Sequence, residues 1–343
     1  MKWSVTRLEE VEESFWKDWE FLCTHCHEGN PILDPRFVKR LVEFFPQDVF
    51  AATARTVSGE VAAIILLYYK GKAVWQSYKP SQAQISLIVM RPDFEPNVSD
   101  LIGQLPHYCI KLDFMSLDPR EHQSLISVIS DDLITPSANN ITVEVLGDFE
   151  DYWSQRNKKL KSNVKRYINR IQKEHAFTFN VRELPDDVSI GVSKYGMIES
   201  RGWKGQAGTA LHPGDVQGQF YEKLLEDFNM TNSAKVFELL IDGEVVASRL
   251  CAHSESIIVM LKTTYEEHFK RFAVGRVLLY LVIEYLYENK LTNVIDFYTN
   301  ANRDQLEWST AQRTIYSASC YRFGWMSALV PGIKKLKNKV LGH

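Results

Sequence analysis

Lys270-Arg271-Phe272-Ala273-Val274-Gly275-Arg276 is a basic, glycine-containing stretch between a predicted strand and a predicted helix. The first turn of a helix leaves backbone N–H groups unpaired and carries partial positive charge. Glycine permits close approach of a ligand, and Lys270, Arg271 and Arg276 add full charges, so the stretch suits a phosphate. Gly202-Trp203-Lys204-Gly205-Gln206-Ala207-Gly208 combines hinges, an aromatic surface and a cation, as a mobile substrate loop would. An ordinary surface connection explains it equally well. From Arg156 to Lys173 the predicted helix carries Lys158, Lys159, Lys161, Lys165, Arg166 and Arg170 with no acid among them, which suits either a polyanion contact or a solvated face. Cys23-Thr24-His25-Cys26-His27 has the spacing of covalent haem attachment and two potential zinc thiolates. No second CxxC completes a zinc site and no export signal precedes it, so it reads as a helix ending in a Cys/His-rich turn, and no metal is expected.

The elements that must position these residues follow from periodicity. Residues 5–22 read as an amphipathic helix, and a second helix starts at Asp34-Pro35. Val49 to Val57 and Glu60 to Tyr69 form a hairpin about Ser58-Gly59. A similar hairpin pairs Lys235 to Ile241 with Glu244 to Ala252 about Asp242-Gly243, before a strand at 256–263. Leu112-Asp113-Phe114 follows the first hairpin as Ile295-Asp296-Phe297 follows the second, at nearly equal spacing, which reads as a degenerate duplication into two α/β halves. Polar residues 130–140 suit a linker, a strand spans 141–146, and one helix runs from about 150 to 175. Further helices end near Arg201, span 213–230, and follow Gly275 with Leu278, Leu281, Val282, Tyr285 and Leu286 inward. The counterpart of the basic loop in the first half, Arg91-Pro92-Asp93-Phe94-Glu95-Pro96, is acidic and proline-bearing. Only the second half looks equipped for a pyrophosphate.

Composition bounds the rest. With 45% hydrophobic and 24% charged residues over 343 positions the chain can bury a sizeable core, and two domains are expected, 1–140 and 141–343. A net charge of −3 gives no whole-molecule attraction to nucleic acid or anionic lipid. The longest apolar run, Val61 to Tyr69, is far short of the roughly 20 residues of a membrane-spanning helix. The N-terminus lacks a secretory pattern and the five cysteines suit free thiols, so a cytoplasmic location is expected. The basic segment Ile333 to Leu341 can at most touch anionic lipid peripherally.

Asp148-Phe149, Glu199-Ser200-Arg201-Gly202-Trp203-Lys204-Gly205, Phe220-Tyr221, Asp242-Gly243, Lys262-Thr263-Thr264-Tyr265, Gly275 and Asp296-Phe297 together resemble the GNAT-type acyltransferase domain of CelD-like polysaccharide-biosynthesis proteins, itself similar to the Fem-type aminoacyl transferases. The resemblance covers about 148–310. It implies an α/β (α+β) fold of tandem GNAT-like domains, each a mixed, mainly antiparallel sheet flanked by helices, the first without a cofactor. It further implies transfer of an acyl group from acetyl-CoA or another acyl-CoA to an amine or hydroxyl of a sugar or peptide acceptor in cell-envelope or exopolysaccharide metabolism. Thioester chemistry asks for a base, an oxyanion site and an acid for the thiolate. Asp296 is the first base candidate and Glu199 the second, with Tyr265 as proton donor and Lys262 orienting the acceptor. The 270–276 loop would hold the coenzyme, and Trp203, Lys204 and Trp308 the acceptor. Two other readings stay open: a Fem-like enzyme using aminoacyl-tRNA, and a non-catalytic binding module.

Overall fold

Gly59 and Gly243 both adopt left-handed backbone, at φ +89° and +85°, and each turns a hairpin at the centre of one half of the chain. The computed structural model describes residues 2–183, 185–201, 214–298 and 300–326. Two compact units result: 2–38, 45–140 and 313–326 form one, and 39–44 with 141–312 the other. The chain's last described strand therefore belongs to the first unit, where a division at residue 140 assigns it to the second.

The first unit is built on β1 (Lys2–Arg7), β2 (Val49–Arg55), β3 (Val61–Gly71), β4 (Val74–Ser77), β6 (Lys111–Leu117) and β13 (Ala311–Tyr321), in that spatial order, with β5 (Ile88–Met90) beside β3. Its helices are α1 (Glu13–Cys26), α3 (Val98–Gln104) and α4 (Pro119–Ser127), while α2 (Pro35–Phe44) is divided between the units at residue 38. The expected helix over 5–22 is thus corrected at its start. Trp3 is buried, and Lys2 to Arg7 alternates in and out as a strand must while pairing with β2, so α1 begins only at Glu13.

The second unit contains the inner part of β7 (Ile134–Glu144), α5 (Phe149–Ser154), α6 (Lys158–Glu174), β8 (Phe177–Arg182), α7 (Pro185–Arg201), α8 (Val216–Asn229), β9 (Ala234–Ile241), β10 (Glu244–His253), β11 (Ile257–Tyr265), α9 (Val274–Glu288), β12 (Val294–Asp296) and α10 (Arg303–Leu306). Residues 134–140 are strand rather than linker, polar because that stretch is largely exposed. The single helix expected over 150–175 is two, since Asn157 caps α6 by accepting the Leu160 N–H.

In both units three antiparallel pairings are followed by one parallel and one antiparallel pairing. The series β1-β2-β3-β4-β6-β13 matches β8-β9-β10-β11-β12-β7 strand for strand. The duplication read from the two hairpins is therefore present as topology: each unit is a mixed, mainly antiparallel sheet flanked by helices. In the second unit α6 and α9 pack one face of the sheet through Leu160, Val164, Ile171, Leu278 and Val282 against Phe237, Leu239, Ile258 and Ile295. The other face carries α7 and α8. Gly191 sits where α7 meets β8 and β9 so closely that a Cβ would lie 2.9 Å from Arg182 and Val236.

Candidate active site

β11 and β12 pair for only three residues, Ile257↔Val294 to Val259↔Asp296, and then part. From residue 260 onward β11 has no register with β12, so that edge of the strand leaves the ladder. A bulge at Leu261 resets the alternation, because Leu250 faces Lys262 while Cys251 faces Met260. Met260 before the bulge packs in the core under α9, and Thr263 and Tyr265 after it keep that face. Lys262 is turned to the opposite face, its ammonium 5.3 Å from the ring centre of Tyr221 on α8.

The parted strands lead to a cleft of about 450 Å³ whose lining includes Arg249, Thr263, Tyr265, Lys270, Gly275 and Trp308. A 3-10 turn over Glu267–Phe272 enters it, and Ala273 follows in left-handed backbone, φ 49°, as the N-cap of α9. No side chain caps this helix. The N–H groups of Val274 and Gly275 lie in its first turn, where no carbonyl of the helix can reach them. The corresponding helix of the first unit, α3, is closed instead: Asn97 accepts the Asp100 N–H, and Asp100 places a negative charge in the first turn. One helix start invites an anion while its counterpart already holds one.

The loop residues do not all face the cleft. Lys270, Ala273, Val274, Gly275 and Arg276 line it. Arg276 also pairs with Asp304 at 2.9 Å and lies 3.6 Å from Glu307. Arg271 turns to α6, paired with Glu174 and stacked on Phe272, while the Phe272 ring is buried in the core. Tyr265 is partly exposed at the cleft, with its ring 3.4 Å from where a Gly275 Cβ would stand. Trp308 is a buried wall, packed on Trp153, and its carbonyl accepts from the Tyr152 hydroxyl at 2.8 Å. Trp203 and Lys204 lie outside the described residues.

The acids sit across the sheet. Ile295 points into the core under α9, so alternation sends the buried carboxylate of Asp296 to the α7 side, where it accepts the Tyr298 N–H at 2.7 Å. Glu199 of α7 is also buried and accepts from the Tyr195 hydroxyl at 3.0 Å. Burial, reinforced by Glu199, pushes the hydroxyls of Tyr195 and Tyr221 well up and keeps them protonated donors. Thus Tyr265 and the 270–276 loop gather on one face of the parted strands, and Lys262, Glu199 and Asp296 on the other.

Sequence reasoning missed Arg249. Its side chain is nearly buried on β10 at the cleft, and burial lowers its pKa to about 10. The available signal was a lone cation inside Val245-Val246-Ala247-Ser248-Arg249-Leu250-Cys251-Ala252, a run otherwise apolar but for one serine. Two members of the Cys/His motif are engaged in the fold: Cys23 is buried, and His27 accepts the Met90 N–H at Nε2 (3.0 Å) while Nδ1 meets Glu121 at 2.9 Å. Nothing among the described residues groups three or more potential metal ligands, and no described helix is long and apolar enough to cross a membrane.

Comparison with known proteins bears on this geometry. Residues 158–305, all within the second unit, match the family model described as acetyltransferase (GNAT) domain. No curated protein sequence matches the chain. Among solved structures, FemX is 8% identical with TM-score 0.62, covering 96% of this chain and 100% of that one. A conserved protein of unknown function from Bacteroides thetaiotaomicron is 10% identical with TM-score 0.59, covering 89% and 97%. L-PGS from Bacillus licheniformis is 12% identical with TM-score 0.53, covering 87% and 96%. At these identities the likeness is one of fold. The chain carries tandem GNAT-like units, and the second has the fold of a GNAT-type transferase.

Proposed function

We propose that the second unit transfers an acyl group from acyl-CoA to an amine or hydroxyl of a cell-envelope or exopolysaccharide precursor, and that the first unit binds no cofactor. The observation that carries this reading is the uncapped start of α9 at the end of the parted strands, beside Lys270 and Arg249. The diphosphate of coenzyme A would lie on the first-turn N–H groups and the pantetheine arm would run along the released edge of β11. Backbone N–H groups of that edge would meet the oxyanion of the tetrahedral intermediate. The acceptor would enter from the α7 side, oriented by Lys262. Asp296 or Glu199 would take its proton, and Tyr265 would return one to the departing thiolate.

Gly275→Val tests the coenzyme site, since a Cβ there already stands 3.4 Å from the Tyr265 ring and two further methyls would crowd the helix start. Calorimetric titration should show coenzyme A binding weakened roughly tenfold or more by the substitution. Absence of wild-type binding at millimolar ligand would overturn the assignment.

A second reading, aminoacyl-tRNA as donor, is favoured by the outer face of α6. Lys165, Arg166, Asn169, Arg170 and Lys173 line one basic depression there, and Arg170 donates to the Arg271 carbonyl at 2.8 Å, so the basic face borders the cleft loop. FemX and L-PGS lend it support only through fold. A salt-dependent affinity for aminoacyl-tRNA without affinity for coenzyme A would select it. Turnover with neither donor would leave a binding module.

A further inference from the structure

Two other arginines withdrawn from solvent are matched to acids. Arg182 donates to Glu238 at 2.7 Å, and Arg313 grips Asp118 at 2.7 and 2.8 Å. Arg249 is more buried than either and has no carboxylate partner among the described residues. Its Nη1 donates to Thr263 Oγ1 at 2.9 Å and reaches the Met260 sulfur at 3.3 Å. Its Nη2 makes one long contact, 3.4 Å, with the Gly275 carbonyl, and its Nε is buried without any partner. A guanidinium has five N–H donors, and this one leaves part of them unspent. Burying a cation without an anion is unfavourable, because water's solvation is lost and nothing replaces it. The same guanidinium lines the cleft directly beneath the uncapped first turn of α9.

We propose that Arg249 is a phosphate-binding residue, closing from below, on a phosphoryl oxyanion that the first-turn N–H groups of α9 hold from above. Lys270 lines the same cleft and supplies the exposed part of the charge. The shared chemistry is a phosphate ester. It can come from the diphosphate of coenzyme A or from the terminal phosphodiester of an aminoacyl-tRNA. The inference deepens the transferase reading and rests on it for the identity of the donor, though not for the anion itself. Thr263 and Gly275 orient the guanidinium, which explains why the bulge at Leu261 matters: it holds Thr263 on the cleft face.

The test uses Arg249→Met, which keeps much of the volume and removes the charge, and Arg249→Lys, which keeps a charge without the planar fork. Inorganic pyrophosphate, coenzyme A and an aminoacylated acceptor-stem RNA are titrated separately against each full-length protein, with thermal stability measured in parallel. Arg249→Met should bind pyrophosphate and the true donor roughly tenfold or more weakly, with Arg249→Lys between it and wild type. Without ligand, Arg249→Met should melt at the same or a higher temperature, because an uncompensated buried charge is gone. Equal affinity of wild type and Arg249→Met for pyrophosphate and for the donor overturns the role of Arg249 while leaving the transferase reading standing. Pyrophosphate bound through Arg249 with no affinity for coenzyme A or RNA sinks the donor assignment and leaves the anion site. No binding of any of the three by wild type overturns both. Loss of folding in both variants, with the lysine no better than the methionine, also overturns it by making Arg249 a structural residue.

Discussion

The carboxylate of Asp296 accepts the Tyr298 N–H, a bond that asparagine can keep through its own oxygen. Asp296→Asn therefore separates holding a turn from accepting a proton. Donor affinity should stay within about twofold while kcat falls by about 10²-fold if Asp296 is the base. Unchanged kcat would transfer the role to Glu199. Another residue argues through pH. His122 is buried, its Nδ1 accepts the Asp118 N–H at 2.9 Å, and burial lowers its pKa from 6.5 to about 4. Above 6.5 the folded and unfolded chains both keep it neutral. Below that, the unfolded chain gains a proton that the folded chain refuses until about pH 4, so stability falls across this window, by about 2 kcal/mol at pH 5. His122→Asn retains an acceptor for Asp118 and cannot titrate, and the difference in Tm between about pH 7.5 and about pH 5 should shrink. A difference equal to wild type would show that other groups set the acid response.

Among the elements, the two related helix starts differ in one physical respect. α3 spends its first-turn donor on Asn97 and places Asp100 against the dipole, whereas α9 leaves its start open at the cleft. That contrast follows from local sequence, Asn97 with Asp100 against Ala273 with Gly275. The placement of α7 does not. Gly191 lets α7 approach β8 and β9, and Glu199 is carried by the same helix to the α7 side of the sheet. In an isolated helix Gly→Ala stabilises by about 1 kcal/mol. Here the new methyl would meet Arg182 and Val236 at 2.9 Å, so Gly191→Ala should destabilise by about 1–3 kcal/mol, read as a lower denaturation midpoint. A gain in stability would mean that α7 shifts freely.

At the scale of the whole molecule, the last described strand returns to the first unit. β13 pairs with β6, and Arg313 on it meets Asp118, which is almost fully buried at the N-cap of α4. Arg313→Leu would leave that carboxylate without its guanidinium, at a cost of about 3–5 kcal/mol. Asp118→Asn in the same protein should restore part of the loss, as scanning calorimetry can measure. If Arg313→Leu melts like wild type, β13 does not stabilise the first unit.

Periodicity and turn chemistry were enough to show the two hairpins, the apolar face of α9 and the basic loop before it, because alternation, a glycine with positive φ and a helical stripe are local properties of a chain. The repeat was legible for the same reason: the turns at Gly59 and Gly243 and the strands that carry Asp113 and Asp296 recur at matched spacing. Short strands read less well. β1 was hidden under a helical pattern and the outer part of β7 under polar composition, since both gain their structure from a partner strand distant in sequence. Individual side-chain directions were out of reach for the same physical reason. Arg271 and Arg276 look equivalent in sequence, yet one meets Glu174 and the other lines the cleft beside Asp304. Lys262 and Thr263 part company only because a bulge resets the alternation of β11. The sequence determined that the second half carries an open, positively charged helix start; that Arg249 waits beneath it, and that β13 completes the first unit, were decided by contacts between residues far apart in the chain.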